Sequence, residues 1–197
     1  MFNWLKRQTS GQATADGLYD AIVTQARQPE FFTSFGVADD VAGRFEMICV
    51  HIFAVLERLG TANATETIGR DLIERFFRDM DDEMREMGVG DTTVPKKMRK
   101  TSEGLYGRLN AYGQALREPD GAAINRALST ALARNVYADE SRAEETEVRA
   151  LAGYVRQAVL HLDEIDDETV TGAGSITFPS LAGPQFGAEV KQAGPAQ

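Results

Sequence analysis

Few residues in this sequence could perform acid–base or nucleophilic chemistry, and their spacing does not favour an enzyme. The chain has two histidines, His51 and His161, and neither follows a carboxylate by three positions, as in the Glu-x-x-His pairs of di-iron bundles. The single cysteine, Cys49, stands two residues from His51, which places the two side chains on different faces of a helix. We therefore predict no catalytic nucleophile, and we interpret His51 as a hydrogen-bonded core residue.

An acidic helix face offers another kind of chemistry. Its carboxylates recur at spacings of three and four residues: Asp79, Asp82, Glu83 and Glu86. Such oxygens can gather a divalent cation, but the arginines interleaved with them neutralise much of that charge. The run Gly88-Val-Gly-Asp-Thr-Thr93 lacks the Gly-Lys-Ser/Thr ending of a phosphate-binding loop. We predict a solvated, self-paired face and no cofactor, with a metal-dependent enzyme as an alternative.

The stretch 85–100 has the features of an interaction surface. Met87-Gly88 is typical of a helix end, because glycine adopts the left-handed conformation without steric cost. We predict that Thr92 or Thr93 caps the next helix and that Pro95 lies in its first turn. That turn carries four cations in five residues: Lys96, Lys97, Arg99 and Lys100. Because cations oppose the helix dipole at an N-terminus, they indicate contact with an anionic surface.

Whole-chain composition narrows the classes of partner. The 197 residues suit one domain, and 21 Lys and Arg against 30 Asp and Glu give a net charge of -9. Such a charge repels phosphates, so we expect no nucleic-acid partner. No apolar run reaches the roughly 18 to 20 residues that a membrane span requires. Phe2 and Trp4 precede two cations, which favours either weak lipid contact or packing of both aromatics on the domain.

Helical spacing of apolar residues predicts an all-α fold, a single irregular bundle of about six helices with a Gly/Pro-rich C-terminal tail. The predicted helices span about 14–26, Asp39 or Asp40 to Gly60, 65–87, 94–116, 122–137 and 143–165. The second of these is apolar around most of its circumference, which predicts a central position. Phe31, Phe32 and Phe35 precede it and either bury or form an exposed patch.

Three regions are predicted along the chain. Residues 1–13 form a flexible or interfacial segment, 14–170 the helical domain, and 171–197 a tail that is partly packed or disordered. Apolar residues of the tail are expected to cross the domain: Ile176, Phe178, Leu181 and Phe186.

Several segments resemble the ubiquinol-cytochrome c chaperone family. They are Phe76-Phe-Arg-Asp-Met-Asp-Asp-Glu-Met-Arg-Glu-Met-Gly-Val-Gly-Asp91, Val94-Pro-Lys-Lys-Met98, Leu105-Tyr-Gly-Arg-Leu-Asn-Ala-Tyr-Gly-Gln-Ala-Leu116 and Ala131-Leu-Ala-Arg-Asn-Val-Tyr137. The resemblance covers about Phe31 to Leu162, and Met-Gly-Val-Gly-Asp followed by Pro-Lys-Lys is its most specific part. Mitochondrial relatives tend to carry tryptophan where Ala133 stands and begin with a targeting extension, so the resemblance implies a bacterial form.

The resemblance implies an assembly factor for the cytochrome bc1 complex of respiratory membranes. Such a factor binds immature cytochrome b or another bc1 subunit without catalysis, in the cytoplasm or peripherally on the cytoplasmic face of the inner membrane. An adaptable apolar surface suits this client, because methionine fits varied apolar shapes. The alternative function is a regulatory or scaffolding helical domain.

Candidate site residues follow from the resemblance and the local pattern together. The candidate client-binding residues are Met84, Met87, Gly88, Val89, Gly90, Met98, Tyr106 and Tyr112. The candidates for contact with anionic membrane or client loops are Lys96, Lys97, Arg99 and Lys100. Periodicity alone leaves open whether the methionines are exposed or fill the core.

Overall fold

A computed structural model describes residues 3–60, 63–172 and 175–181 of the chain. Its α-helices are α1 (Asn3–Ala26), α2 (Glu30–Thr33), α3 (Val41–Leu59), α4 (Asn63–Glu86), α5 (Val94–Leu116), α6 (Gly121–Asn135), α7 (Thr146–Asp163) and α8 (Asp167–Gly172). A 3-10 helix, Glu140–Glu144, lies between α6 and α7. The described residues contain no strand, and the predicted all-α class is confirmed.

Local sequence signals set several of these helix ends. Asp40 caps α3, since its carboxylate accepts a hydrogen bond of 2.8 Å from the backbone N–H of Gly43. Asp120 caps α6 in the same way through the backbone N–H groups of Ala122 and Ala123. Gly60 follows α3 with a positive φ, as the predicted helix end requires.

The core is built around α3. Most of this helix is buried, and it contacts α1, α4, α5 and α7. Its large apolar side chains, such as Met47, Ile52 and Phe53, are almost entirely inaccessible to solvent. Each such burial contributes about 1.5–3 kcal/mol. The predicted central position of the second long helix is therefore confirmed.

Four elements differ from the prediction, namely α1, α7, α2 and, as described below with residues 175–181, α8. Helix α1 begins at Asn3 rather than near Thr14, and at Gly11 it passes so close to α4 that an added Cβ would lie 3.1 Å from Asp71 Oδ2. The predicted start of α7 near Ala143 is also wrong. Asp139 instead caps the 3-10 helix through Ser141, and α7 begins at Thr146.

The third difference is α2, a short helix that the sequence pattern did not predict. It places Phe31 fully inside the core, with Phe35 buried after it and Phe32 half-buried. Phe31 contacts the rings of Phe35, His51 and Tyr154. The three phenylalanines therefore contribute to the core and do not form an exposed patch.

Residues 175–181, here called the strap, cross the domain after α8. Ile176 is buried, and Phe178 and Leu181 pack against the core, as predicted for these three residues. His161 Nε2 lies 3.2 Å from Thr177 Oγ1. Helix α8 itself crosses the predicted boundary at residue 171 and buries Val170. Phe186 and the side chains of Phe2 and Trp4 lie outside the described part of the chain.

Candidate interaction surface

The turn between α4 and α5 is held in a defined shape by local bonds. Gly88 has φ +77°, a conformation that favours glycine, and its N–H donates to the carbonyl of Arg85 at 2.9 Å. The N–H of Val89 donates to Met84 at 3.0 Å. Arg85 pairs with Asp81 of the helix and Asp91 of the turn at 2.6 and 2.5 Å. The predicted helix end at Met87-Gly88 is confirmed.

The first turn of α5 starts without a side-chain cap. Thr93 is the N-cap residue, but its backbone is helical and its side chain makes no capping hydrogen bond. The predicted capping by Thr92 or Thr93 is therefore wrong, because an N-cap side chain reaches the helix N–H groups from an extended backbone. Pro95 lies in the first turn, as predicted, and the buried Val94 anchors this turn to the domain.

The predicted cations on this turn project into solvent. Lys96, Lys97, Arg99 and Lys100 are all exposed. Arg99 Nε pairs with Glu103 Oε1 at 2.8 Å, whereas among the described residues the three lysines have no acidic partner. Every ion pair in the described part of the chain uses an arginine. The lysines therefore present charge that no ion pair with a described residue compensates.

Large exposed apolar side chains precede and follow the lysines in sequence. Met87 is 63% exposed at the end of α4, and Tyr106 is 52% exposed on α5. Tyr106 follows Arg99 by seven residues, so it shares a helix face with this arginine about 10 Å further along the axis. Met84 and Val89 are half-buried.

The remaining candidates divide between surface and core. Met98 is half-buried and packs against the core, and Met80 is buried. Gly90 is exposed with open space around it. We call the exposed and half-buried set the α5 surface: Met84, Met87, Gly88, Val89, Gly90, Lys96, Lys97, Met98, Arg99, Lys100 and Tyr106.

Tyr112 does not belong to this surface, contrary to the sequence-based assignment. It is fully buried, and its ring meets that of Phe53 edge-on at 5.4 Å. Burial raises the pKa of its hydroxyl. The reason is the helical register, since Tyr112 follows the buried Leu105 by seven residues and faces α3 with it. That spacing is visible in the sequence and could have separated Tyr112 from Tyr106.

An ion pair between the buried Glu46 and the half-buried Arg108, which the sequence pattern did not reveal, connects α5 to α3. Arg108 Nε donates to Glu46 Oε2 at 2.6 Å, and Arg108 Nη2 contacts the other carboxylate oxygen. Arg108 also donates to the carbonyl of Gly104 at 2.8 Å. Burial raises the pKa of Glu46, and the guanidinium of Arg108 opposes this effect. The pair lies 62 residues apart in sequence, so no local pattern predicts it.

His51 is a core residue, as predicted, and Cys49 is also buried. His51 Nδ1 lies 2.6 Å from the carbonyl oxygen of Met47, and its Nε2 lies 2.8 Å from the Tyr154 hydroxyl. Burial lowers the pKa of His51 to about 4, so the ring is neutral at neutral pH. Burial likewise raises the pKa of the Cys49 thiol, which keeps it protonated.

Of the four carboxylates predicted to form a self-paired face on α4, only Asp79 forms an ion pair with arginine in the described part of the chain. Arg75 contacts Asp79 at 3.2 Å and Asp16 of α1 at 3.3 Å, and the Tyr19 hydroxyl donates to Asp79 at 2.7 Å. Within the described ranges, no group of three or more histidine, cysteine or acidic side chains is arranged to hold a metal ion. None of the helices described is both long enough and apolar enough to span a bilayer.

The sequence matches the ubiquinol-cytochrome C chaperone family over residues 33–178. The chain belongs to this family. A solved structure, the crystal structure of the Cbp3 homolog from Brucella abortus, is similar with a TM-score of 0.74 and 36% identity, covering 91% of this chain and 97% of that one. A relative from Xenopus laevis, ubiquinol-cytochrome-c reductase complex assembly factor 1, is 24% identical over 165 residues, which are 83% of this chain and 80% of the relative.

The family match includes every residue of the α5 surface. It also extends past Leu162, where the resemblance by motifs ended, through α8 and into the strap as far as residue 178. Residues 175–178 of the strap thus lie within the match to the ubiquinol-cytochrome C chaperone family, whereas all of α1 precedes it.

Proposed function

We propose that this chain is an assembly chaperone for the ubiquinol-cytochrome c reductase (cytochrome bc1) complex, and that it holds immature cytochrome b at the membrane surface without catalysis. Its family and the name of the Xenopus laevis relative support the assembly role. One structural observation supports the mechanism. Exposed apolar side chains, Met87 and Tyr106, precede and follow in sequence the turn that carries three lysines, and these lysines have no acidic partner among the described residues.

The two chemical components of the α5 surface suit two parts of such a client. Cytochrome b is a membrane protein, so before assembly it presents apolar segments next to polar loops and lipid headgroups. The thioether of Met87 adapts to varied apolar shapes, and tyrosine favours the boundary between apolar and wet surroundings. Each lysine near an anionic headgroup layer contributes about 1 kcal/mol.

Ion pairs connect the elements that carry the α5 surface to each other and to the core. Arg85 joins the end of α4 to the turn through Asp81 and Asp91. The Glu46–Arg108 pair joins α5 to the central helix. The surface therefore does not need to form on binding, which lowers the entropy cost of holding a client.

The test compares two variants that each lose three positive charges, one on the α5 surface and one elsewhere on the chain. In a strain lacking this chain, we compare Lys96→Gln/Lys97→Gln/Lys100→Gln with the control Arg126→Gln/Arg134→Gln/Arg149→Gln, which removes three exposed cations elsewhere. The lysine variant is expected to lower co-purification of cytochrome b and the amount of assembled bc1 complex about tenfold or more. The control is expected to behave as the wild type.

Circular dichroism of both variants should be unchanged, because all six side chains are exposed. Equal assembly in the two variants would remove the α5 surface from the mechanism. Normal bc1 assembly in the strain without the chain would overturn the assembly function itself and favour a regulatory or scaffolding domain.

A further inference from the structure

A second candidate site lies between the strap and the corner formed by α1 and α2. It is a pocket of about 200 Å³, and it shares no residue with the α5 surface. The lining residues are Gln25, Gln28, Glu30, Phe178, Pro179, Ser180 and Leu181. The polar groups that line it determine what it can bind, and neighbouring bonds fix the orientation of two of them.

The orientation of the Gln25 amide follows from the buried histidine. The carbonyl of Met47 can only accept, so the His51 nitrogen 2.6 Å away, Nδ1, donates to it. Because the ring is neutral, the other nitrogen, Nε2, accepts the proton of the Tyr154 hydroxyl at 2.8 Å. The Tyr154 oxygen can then only accept from Gln25, whose Nε2 lies 3.1 Å away.

Gln28 is fixed by a simpler contact. Its Nε2 donates to the carbonyl of Thr24 at 3.3 Å, and a carbonyl cannot be the donor. Each glutamine therefore uses one of the two N–H groups of its side-chain amide within the protein. In the described part of the chain, neither side-chain oxygen, Oε1, accepts a hydrogen bond, and Glu30 has no cationic partner.

These constraints make the pocket rich in acceptors. Gln25 and Gln28, whose amide oxygens accept no hydrogen bond in the described part of the chain, line it together with Glu30 and Phe178. The π face of an aromatic ring attracts positive charge. An anion would be repelled by the carboxylate of Glu30, and a purely apolar group would leave the polar groups of the lining without water. We propose that this pocket binds the cationic side chain, lysine or arginine, of an extended segment of a partner protein.

The inference is tested with the full-length chain and a minimal probe. The probe is Nα-acetyl-lysine methylamide, and Nα-acetyl-norleucine methylamide is its uncharged counterpart of similar shape. In an NMR titration at low salt, the lysine probe is expected to shift the side-chain amide signals of Gln25 and Gln28 to saturation. The norleucine probe is expected to bind at least about fivefold more weakly.

Glu30→Gln is expected to weaken the lysine probe about threefold, whereas Glu118→Gln, a second exposed acid outside the pocket, should have no effect. Both side chains are exposed, so neither substitution should disturb folding. Equal affinity of the two probes, shifts confined to other residues, or an unchanged affinity in Glu30→Gln would each overturn the inference. None of these results would affect the proposed role of the α5 surface, which uses other residues.

Discussion

His51 is a histidine whose surroundings remove its usual titration near neutral pH. Burial holds its pKa at about 4 in the folded chain, while unfolding returns it to the ordinary value of 6.5. Between pH 6.5 and 4 the unfolded state therefore binds more protons than the folded state. Stability should fall as the pH is lowered through this window, by on the order of 3 kcal/mol in full.

The substitution His51→Gln isolates this contribution. We expect it to lower the free energy of unfolding at pH 7 by about 1–3 kcal/mol, since the Tyr154 hydroxyl and the Met47 carbonyl lose well-placed partners. Because glutamine does not titrate, the variant should lose less stability than the wild type between pH 7 and pH 5. Urea unfolding followed by circular dichroism measures both quantities. Equal losses in the two proteins would contradict the assigned protonation of His51.

At the scale of helices, the Glu46–Arg108 ion pair connects α5, whose first turns carry the cations, to α3. Arg108→Met leaves the Glu46 carboxylate buried without its partner, which we expect to cost about 3–5 kcal/mol of stability. Glu46→Met combined with Arg108→Met removes both charges and should recover much of this loss. Urea unfolding of the wild type, both single variants and the double variant gives the coupling energy. Simple addition of the two single effects would show that the residues act independently.

The same helices show what the sequence could predict. Many helix ends depend on neighbours in the chain, which is why a cap at Asp39 or Asp40 and a helix end at Gly88 could be predicted, although the cap predicted at Thr92 or Thr93 was wrong. The central position of α3 also follows from its own apolar circumference. The close approach of α1 to α4 at Gly11 is instead a tertiary contact, which no local sequence pattern predicts.

The sequence could predict the candidate site only where the helical register of α5 determines which side chains are exposed and which are buried. The exposed cations and Tyr106 follow from one face of α5, and the burial of Tyr112 follows from the opposite face. The Glu46–Arg108 pair and the pocket beside the strap bring together residues far apart in the chain. Their chemistry depends on tertiary packing, so only the structure reveals them.

At the scale of the whole molecule, two electrostatic effects compete at an anionic membrane. The net charge of -9 repels such a surface, while the three lysines of α5 attract it locally. Salt screens both effects, with a Debye length of about 10 Å at 0.1 M. The sign of the salt dependence therefore tells which of the two dominates.

We expect binding of the wild-type chain to phosphatidylglycerol vesicles to weaken as salt is raised from about 50 mM to about 500 mM, because the lysines meet the headgroups at short range. Vesicle flotation measures the bound fraction. Lys96→Gln/Lys97→Gln/Lys100→Gln removes the attraction and keeps the repulsion, so its binding should be weak at low salt and should not decrease further. Binding of the wild type that strengthens with salt would mean that the acidic body governs the encounter, and the lysines would then have to act on the client rather than on lipid.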